Sequence, residues 1–200
     1  MENLDIYDEN MNKIGCENRD IVHQKGMWHK TVHCWLYDDN KNLYFQIRAN
    51  SGKLYTTASG HVLAGETVPE AFKREIFEEI GVNTDISNAE PIEIVFWRQD
   101  KIKNNLPWHD RAFAHVYINK IPLDFNDFHF QASEVDGVVK INAVDCLDVL
   151  IGKKANASAT KITAEGMNQV DITKDDFLAA PNETAVVKYG NILQSIIQKI

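Results

Sequence analysis

The stretch GHVLAGETVPEAFKREIFEEIGV, residues 60–82, carries the strongest structural signal in the chain. Thr67 is followed three residues later by Glu70, which is the spacing of a helix capping box, and Pro69 is tolerated in a first turn. Gly81 suits the C-terminal cap of a helix. Apolar residues recur at every fourth position: Val68, Phe72, Ile76 and Ile80. The segment therefore predicts a helix with one buried stripe.

Glu75, Glu78 and Glu79 lie together on one side of this predicted helix, next to the apolar stripe. At about 100° per residue, the three side chains span an arc of roughly 100°. Glu79 projects between Val68 and Phe72, so we expect at least one carboxylate to be partly buried. Like charges at this spacing repel, and they do so more strongly when desolvated. A divalent ion would turn this repulsion into coordination; the alternative is a solvated acidic helix face.

The composition is typical of a soluble globular protein that lacks a broad basic surface. The chain has 200 residues, enough for one substantial core, and a net charge of -8 at pH 7. This charge disfavours a nucleic-acid partner. Cys16, Cys34 and Cys146 lack metal-type spacing and are expected to be reduced thiols. Because neither a signal-peptide pattern nor a long apolar run is visible, we expect a cytoplasmic protein without a membrane partner.

Outside the central helix, the pattern predicts strands first and helices towards the end of the chain. Strands are expected at 3–7, 31–38, 43–49, 54–58, 92–97, 112–118 and 135–141. Polar loops are expected at 98–110 and 152–168. Helices are expected at 142–150, after a cap at Thr173, and at 191–200. This order predicts an α/β fold with a mixed sheet.

The spacing within residues 60–82 resembles a complete Nudix box. Gly60 is followed after five residues by Glu66, and after seven more by the block REIFEEIGV, which begins at Arg74. The segments LDIYDEN, SGHVLAGE, DRAFAHVY and EVDGVVKI extend the resemblance over about residues 4–150. Within this range the chain is similar to the branch of Nudix hydrolases that resembles isopentenyl-diphosphate isomerase.

This resemblance implies a Nudix-type α/β/α sandwich whose loop–helix–loop catalytic box holds Mg²⁺ or Mn²⁺. It implies hydrolysis of a diphosphate bond in a nucleoside diphosphate linked to another moiety, or in a related organic diphosphate. The partner is then a small-molecule diphosphate, and a homodimer is common among such proteins. We expect one domain over residues 1–200, with a core at about 30–150 and a C-terminal helical extension at about 151–200.

The resemblance also assigns the metal ligands. By position they are Glu75, Glu78 and Glu79, with the backbone carbonyl of Ser59 as a further ligand. Arg74 is expected to orient the neighbouring carboxylate as part of the catalytic set. In such a site, metal ions neutralise diphosphate oxygens and a carboxylate accepts the proton of the attacking water.

The remaining box positions are expected to be structural, and the general base stays open. Gly60 and Gly81 serve the backbone turns at the two ends of the box, and Glu66 places the loop through a charge-assisted contact. The base is either one of the box glutamates or Glu134, which precedes the predicted strand at 135–141. The alternative for Glu134 is an ordinary loop acid.

Isopentenyl-diphosphate isomerase is the competing interpretation on the same fold. That enzyme needs a cysteine where this chain has Ser59, and a hydroxyl is far less acidic than a thiol. Its acid-x-acid pair aligns with Asp110 and Ala112, so the second acid is missing here. A third interpretation, a non-catalytic metabolite-binding domain, is disfavoured because such domains typically lose box glutamates.

Several residues outside the box have two interpretations each. His61 and His29 align with metal-ligating histidines of the isomerase, and His23 is a looser match; the alternative is packed or solvent-facing histidines. Gln46 and Arg48 either line the substrate cleft or lie on a strand surface. Trp97 and Trp108 either stack on a base or pack in the core or at its rim.

Overall fold

The computed structural model describes residues 2–103, 105–179 and 182–200. The strands are β1 (Asn3–Tyr7), β2 (Lys13–Asn18), β3 (His29–Tyr37), β4 (Asn42–Arg48), β5 (Leu54–Tyr55), β6 (Ala58–His61), β7 (Ala89–Lys103), β8 (Leu106–Lys120), β9 (Val135–Asn142), β10 (Asn156–Thr163) and β11 (Gly166–Thr173). The helices are α1 (Arg19–Lys25), α2 (Val68–Ile80), α3 (Ala143–Leu150) and α4 (Glu183–Lys199).

Nine of these strands form one mixed sheet, as predicted. Its order is β11-β10-β9-β4-β3-β8-β7, with β5 attached to β4 and β6 attached to β3. The pairing of β3 with β8 is parallel, and the other pairings in the sheet are antiparallel. Strands β1 and β2 form a separate antiparallel hairpin.

Helices cover both faces of the sheet, which gives the expected α/β layering. Neighbouring strand residues point to opposite faces, so Trp35 and Leu36 of β3 enter different cores. Trp35 packs in the core shared with α3 and α4, which includes Leu193. Leu36 packs in the core shared with α2, which includes Phe72. The box helix thus lies against one face and the C-terminal helix against the other.

The box helix forms as the sequence predicts. The Thr67 side chain accepts a hydrogen bond from the Glu70 amide, and the Glu70 side chain accepts one from the Thr67 amide. The helix ends at Gly81, whose φ is 73° and where a Cβ would come within 2.4 Å of the His129 Cβ. Only glycine meets both conditions at this position. The apolar stripe is buried, and Phe72 has no exposed surface.

Two segments predicted as loops are strands, so those predictions are wrong. Most of residues 98–110 belongs to the long hairpin of β7 and β8, whose last pair is Lys103 with Leu106; Asn104 lies outside the described residues. Most of residues 152–168 belongs to the hairpin of β10 and β11. Both hairpins expose many polar side chains, and backbone pairing rather than apolar content holds them in the sheet.

The expected helical character of the C-terminal extension is therefore wrong over residues 156–173. Strand β10 pairs with β9, for example at Thr160 and Lys140, so this part of the chain enlarges the sheet. The final segment is helical as predicted, although α4 begins earlier than expected, at Glu183. The sequence analysis did not predict β2 or α1. The three cysteines are free thiols.

Candidate active site

The three box glutamates face one cleft of about 820 Å³. They differ in exposure: Glu75 and Glu79 are 8% and 3% exposed, whereas Glu78 is exposed. The expectation that at least one carboxylate is partly buried is confirmed. Glu134 also lines this cleft. The structure therefore brings together all four carboxylates that the sequence analysis selected.

The carboxylate of Glu79 is held by two neighbouring strands. Its Oε2 accepts hydrogen bonds from the Ser59 backbone N–H at 3.0 Å and from Gln46 Nε2 at 3.0 Å. Burial raises the pKa of Glu79 to about 8, and the negative charges of Glu75 and Glu134 add to this effect. Ser59 contacts a box carboxylate here through its amide, whereas the sequence analysis assigned a role to its carbonyl.

Glu75 has a similar environment, but its main partner is Arg74. Arg74 Nη1 donates to Glu75 Oε1 at 2.8 Å. Burial raises the pKa of Glu75 to about 7; the cation of Arg74 opposes this shift, and the charges of Glu78 and Glu134 reinforce it. One arginine therefore faces several acids that burial makes costly to ionise.

Arg74 joins the start of the box to its helix. Its Nε and Nη2 donate to the two carboxylate oxygens of Glu66 at 2.8 and 3.0 Å. Nη2 also donates to the His61 carbonyl at 2.8 Å, and Nη1 donates to Glu78 at 3.0 Å. Glu66 in turn accepts from the Leu63 amide at 2.9 Å. This network links the loop before α2 to the helix itself.

Gly60 lets the Glu75 carboxylate lie directly against β6. A Cβ on Gly60 would come within 2.0 Å of Glu75 Oε1. Any residue other than glycine at position 60 would therefore clash with the Glu75 carboxylate in its present place. The close approach explains why the box begins with glycine. The requirement here is space, unlike the positive φ at Gly81.

The donor set at these glutamates fits a hard divalent ion. Mg²⁺ and similar ions take carboxylate oxygens together with substrate phosphates. Glu75 and Glu79 are buried acids of like charge, and a nearby cation would favour the ionised form of both. Basic side chains that suit phosphate oxygens line the same cleft: Arg19, Arg48, Lys101 and Lys103.

Three histidines converge at another part of the cleft, where His23 and His61 line the wall and His29 lies buried behind them. The ring nitrogens of His23, His29 and His61 that point into the cluster lie within 4.8 Å of one another. The Nδ1 atoms of His23 and His29 contact the carbonyls of Arg19 and Met27 at 2.8 and 3.0 Å. A carbonyl only accepts, so each Nδ1 carries a proton and each neutral ring turns the lone pair of its Nε2 into the cluster.

Asp110 completes this cluster. Its Oδ1 lies 3.6 Å from His29 Nε2 and 4.0 Å from His23 Nε2. Within the described ranges, neither Asp110 Oδ1 nor His29 Nε2 has a hydrogen-bond partner. Burial lowers the pKa of all three histidines. Neutral rings beside a carboxylate are a donor set that suits a metal ion, so the histidines are not independently packed side chains.

Comparison with known proteins covers most of the chain. Residues 27–160 match the family model of the NUDIX domain. The chain belongs to the Nudix family. It is 32% identical over 193 residues to an uncharacterized Nudix hydrolase of Clostridium acetobutylicum, a match that covers 88% of this chain and 90% of the relative. These matches identify a hydrolase of Nudix type.

More distant matches include an isomerase and solved structures of similar fold. The chain is 28% identical over 124 residues to an isopentenyl-diphosphate Delta-isomerase of Photorhabdus laumondii, covering 59% of this chain and 68% of the relative. Among solved structures, DR0079 of Deinococcus radiodurans superposes with a TM-score of 0.57 at 20% identity, over 76% of this chain and 90% of that chain. This likeness confirms the fold. Within the described parts of the chain, no helix is long and apolar enough to cross a membrane.

The structure also shows contacts that sequence reasoning missed. Gln46 was expected at most to line the cleft, but it donates directly to Glu79. His33 lies opposite Ser59 in the pairing of β3 with β6 and lines the cleft. Both contacts depend on strand register, and a single sequence carries no local signal for them.

Proposed function

We propose that this protein hydrolyses a diphosphate bond in an organic diphosphate, with Mg²⁺ or Mn²⁺ held by Glu75, Glu78 and Glu79. The observation that supports this most strongly is the burial of Glu75 and Glu79 side by side, with raised pKa values and a single arginine between the helix and its loop. Among organic diphosphates, we expect the substrate to be a nucleoside diphosphate linked to another group.

In this proposal each residue has a definite task. Arg74 holds Glu75, and the Ser59 amide with Gln46 holds Glu79, so both carboxylates are oriented before the substrate binds. The bound ion supplies charge neutralisation at the diphosphate oxygens and lowers the pKa of water. The proton of the attacking water goes to Glu134 or to a box glutamate.

The histidine cluster favours a second candidate function, isomerisation of isopentenyl diphosphate. The cluster offers a second place for a divalent ion, through His23, His29, His61 and Asp110. Two observations count against this function: Ser59 stands where the isomerase needs a cysteine, and Ala112 stands where it needs its second acid. Hydrolysis accounts for the intact box, and isomerisation does not.

One experiment separates the candidate functions. The purified full-length protein is incubated with Mg²⁺ or Mn²⁺ and a panel of dinucleotide cofactors, sugar nucleotides, oxidised nucleotides, coenzyme A and isopentenyl diphosphate. The proposal expects at least one member of the panel to be cleaved at its diphosphate bond, which is detected as two phosphorylated fragments. Conversion of isopentenyl to dimethylallyl diphosphate without phosphate release would instead support the isomerase. Binding without turnover of any compound would support a metabolite-binding domain. A cytoplasmic location and a homodimer stay predictions.

A further inference from the structure

Strand β7 forms one edge of the nine-stranded sheet. Its neighbour is β8, and the order of the sheet ends with β7. The strand runs over 15 residues, all of which are exposed or half-buried. A lysine of α4 contacts it, since Lys188 Nζ donates to the Phe96 carbonyl at 2.9 Å. Edge strands offer backbone groups to a further strand, and proteins normally keep them short or cover them. A long exposed edge therefore suggests a partner.

One face of β7 combines apolar side chains with two opposite charges. Phe96, Arg98, Asp100 and Ile102 alternate along the strand and therefore point to the same face. Phe96 and Arg98 both contact the Trp28 ring, at 6.0 and 5.0 Å from its centroid, which agrees with a shared face. Phe96 is 48% exposed and Ile102 is 71% exposed. This face of the edge strand thus presents two large apolar side chains to solvent, one on each side of a charge pair.

The pattern on this face is complementary to itself when the strand is reversed. In an antiparallel pair of two β7 strands with a two-fold axis at Gln99, Arg98 of each copy lies opposite Asp100 of the other, and Phe96 lies opposite Ile102. Opposite charges and apolar side chains that face each other stabilise a strand pair, whereas like charges destabilise it. An axis at Arg98 or at Asp100 would instead place two arginines or two aspartates together. The charges therefore favour a second copy of this chain as the partner, in one register.

We propose that two copies of this chain pair in antiparallel fashion through the exposed edge of β7, with the two-fold axis at Gln99, and so join their sheets into one. The family resemblance implied a homodimer without saying which surface forms it. The complementary pattern on β7 supplies that surface. This inference does not depend on the proposed hydrolysis, because none of the box carboxylates takes part in the pairing.

The pairing also brings each copy to the cleft of the other. Trp97, Gln99 and Lys101 point to the opposite face of β7 and line the cleft. With the axis at Gln99, Lys101 of the second copy lies opposite Trp97, whose ring already has Lys188 Nζ at 5.0 Å from its centroid. The second copy thus adds a cation to the rim of each cleft, beside an aromatic ring that attracts cations.

Charge reversal tests both the interface and its register. Sedimentation velocity of the full-length protein over a dilution series measures the dissociation constant of the dimer, which the wild-type protein is expected to form. Arg98→Asp places two aspartates opposite each other, so we expect the dissociation constant to rise about tenfold or more, because like charges across an interface are strongly unfavourable. Adding Asp100→Arg to this variant restores opposite charges at both positions. The double variant should therefore recover most of the lost affinity, which a merely structural role of Arg98 would not explain.

Ile102→Asp carries the test should Arg98→Asp fail to fold, since the Ile102 side chain is largely exposed and its replacement should weaken the dimer by a similar factor. Asp171→Arg is the matched control, because Asp171 is an exposed acid on β11 at the other edge of the sheet; it should keep the wild-type dissociation constant. The inference is overturned if the wild-type protein is a monomer at every concentration, or if the folded β7 variants keep the wild-type constant. A double variant that recovers no affinity, or a dimer weakened by Asp171→Arg instead, would also overturn it.

Discussion

Glu79 illustrates how neighbouring strands prepare a box carboxylate for its task. Both of its hydrogen bonds, from the Ser59 amide and from Gln46, end on Oε2. Together they fix the orientation of a side chain that is 3% exposed. The sequence predicted the position of Glu79 on the helix and its partial burial, because both follow from helical periodicity. It could not predict Gln46 as its partner, because that contact depends on how distant strands align.

Replacing Glu79 removes a charge from the proposed metal site. We expect Glu79→Gln to lower kcat by about 10²-fold or more, the scale seen when one preorganised electrostatic group is lost. Glu70→Gln on the same helix keeps an acceptor at the cap and lies outside the main cleft, so it should retain wild-type kcat. Steady-state kinetics on a substrate found by the panel make the comparison. Near-wild-type turnover of Glu79→Gln would remove Glu79 from the mechanism.

Glu134→Gln tests which carboxylate is the general base. If Glu134 takes the proton of water, kcat falls by about 10²–10⁴-fold. It lines the same cleft as Glu75 and Glu79. Mn²⁺ affinity, measured by titration calorimetry, should change little, since Glu134 is not among the proposed ligands. A variant with wild-type kcat would assign the base to a box glutamate.

The buried carboxylates also predict how stability depends on pH without metal. The pKa values of Glu75 and Glu79, about 7 and about 8, lie above the usual 4.5. Between pH 4.5 and these raised values, the folded protein therefore binds more protons than the unfolded chain. Its free energy of unfolding must then fall as pH rises. Buried histidines such as His23 and His33, with pKa values of about 4, act in the opposite direction, but only up to about their usual pKa of 6.5.

Between about pH 6.5 and 8.5 the glutamates therefore dominate, and the melting temperature in EDTA should fall as pH rises. Thermal denaturation across this range measures the slope. Glu79→Gln should flatten it, because that group no longer titrates. Adding Mn²⁺ at the upper end should restore stability, since the ion binds the ionised form. A melting temperature that rises with pH in EDTA would contradict the assigned environments.

At the scale of elements, the box helix and the hydrophobic strands were predictable, whereas α1 and the polar hairpins were not. The box helix carries its own caps and an apolar stripe, so the local sequence of residues 67–81 is enough to predict it. The hairpin of β7 and β8 and that of β10 and β11 expose much of their surface. Their stability comes from pairing with each other and with the sheet, which local composition does not reveal. For the same reason, cleft residues such as Lys101 and Lys103 on β7 and Tyr189 on α4 could not be placed beforehand.

The contact between β6 and the box helix predicts how a methyl group added at Gly60 would affect metal binding. In Gly60→Ala, the new Cβ would meet Glu75 Oε1 at 2.0 Å. A flexible carboxylate can move away, so we expect the fold to persist while the metal site is displaced. Mn²⁺ affinity should fall by about 10–100-fold, the usual effect of disturbing how a ligand is oriented. Calorimetry on the purified variant measures this.

Gly15→Ala provides the control for Gly60→Ala. At Gly15 a Cβ would meet only Ile6, at an ordinary 3.6 Å, so both stability and Mn²⁺ affinity should stay close to wild type. Unchanged Mn²⁺ affinity in Gly60→Ala would show that the Glu75 carboxylate need not lie against β6 to bind metal.

At the scale of the whole molecule, segments outside the matched family domain complete the site. The β1–β2 hairpin supports the loop of the box: the Ala64 amide donates to the Asn3 carbonyl at 2.8 Å, and the Gly65 amide donates to Asp5 at 3.2 Å. On the other side of the sheet, α4 supplies Tyr189 to the cleft. The box fixes the proposed chemistry, and these flanking segments shape the space around it.

A crystal structure grown with Mn²⁺ and a non-cleavable diphosphate analogue tests the central claim most directly, because anomalous scattering locates the ion. The proposal predicts an anomalous peak coordinated by oxygens of Glu75, Glu78 and Glu79 and by the diphosphate. A peak confined to His23, His29 and His61, with the diphosphate bound there and the box carboxylates apart from any ion, would contradict it.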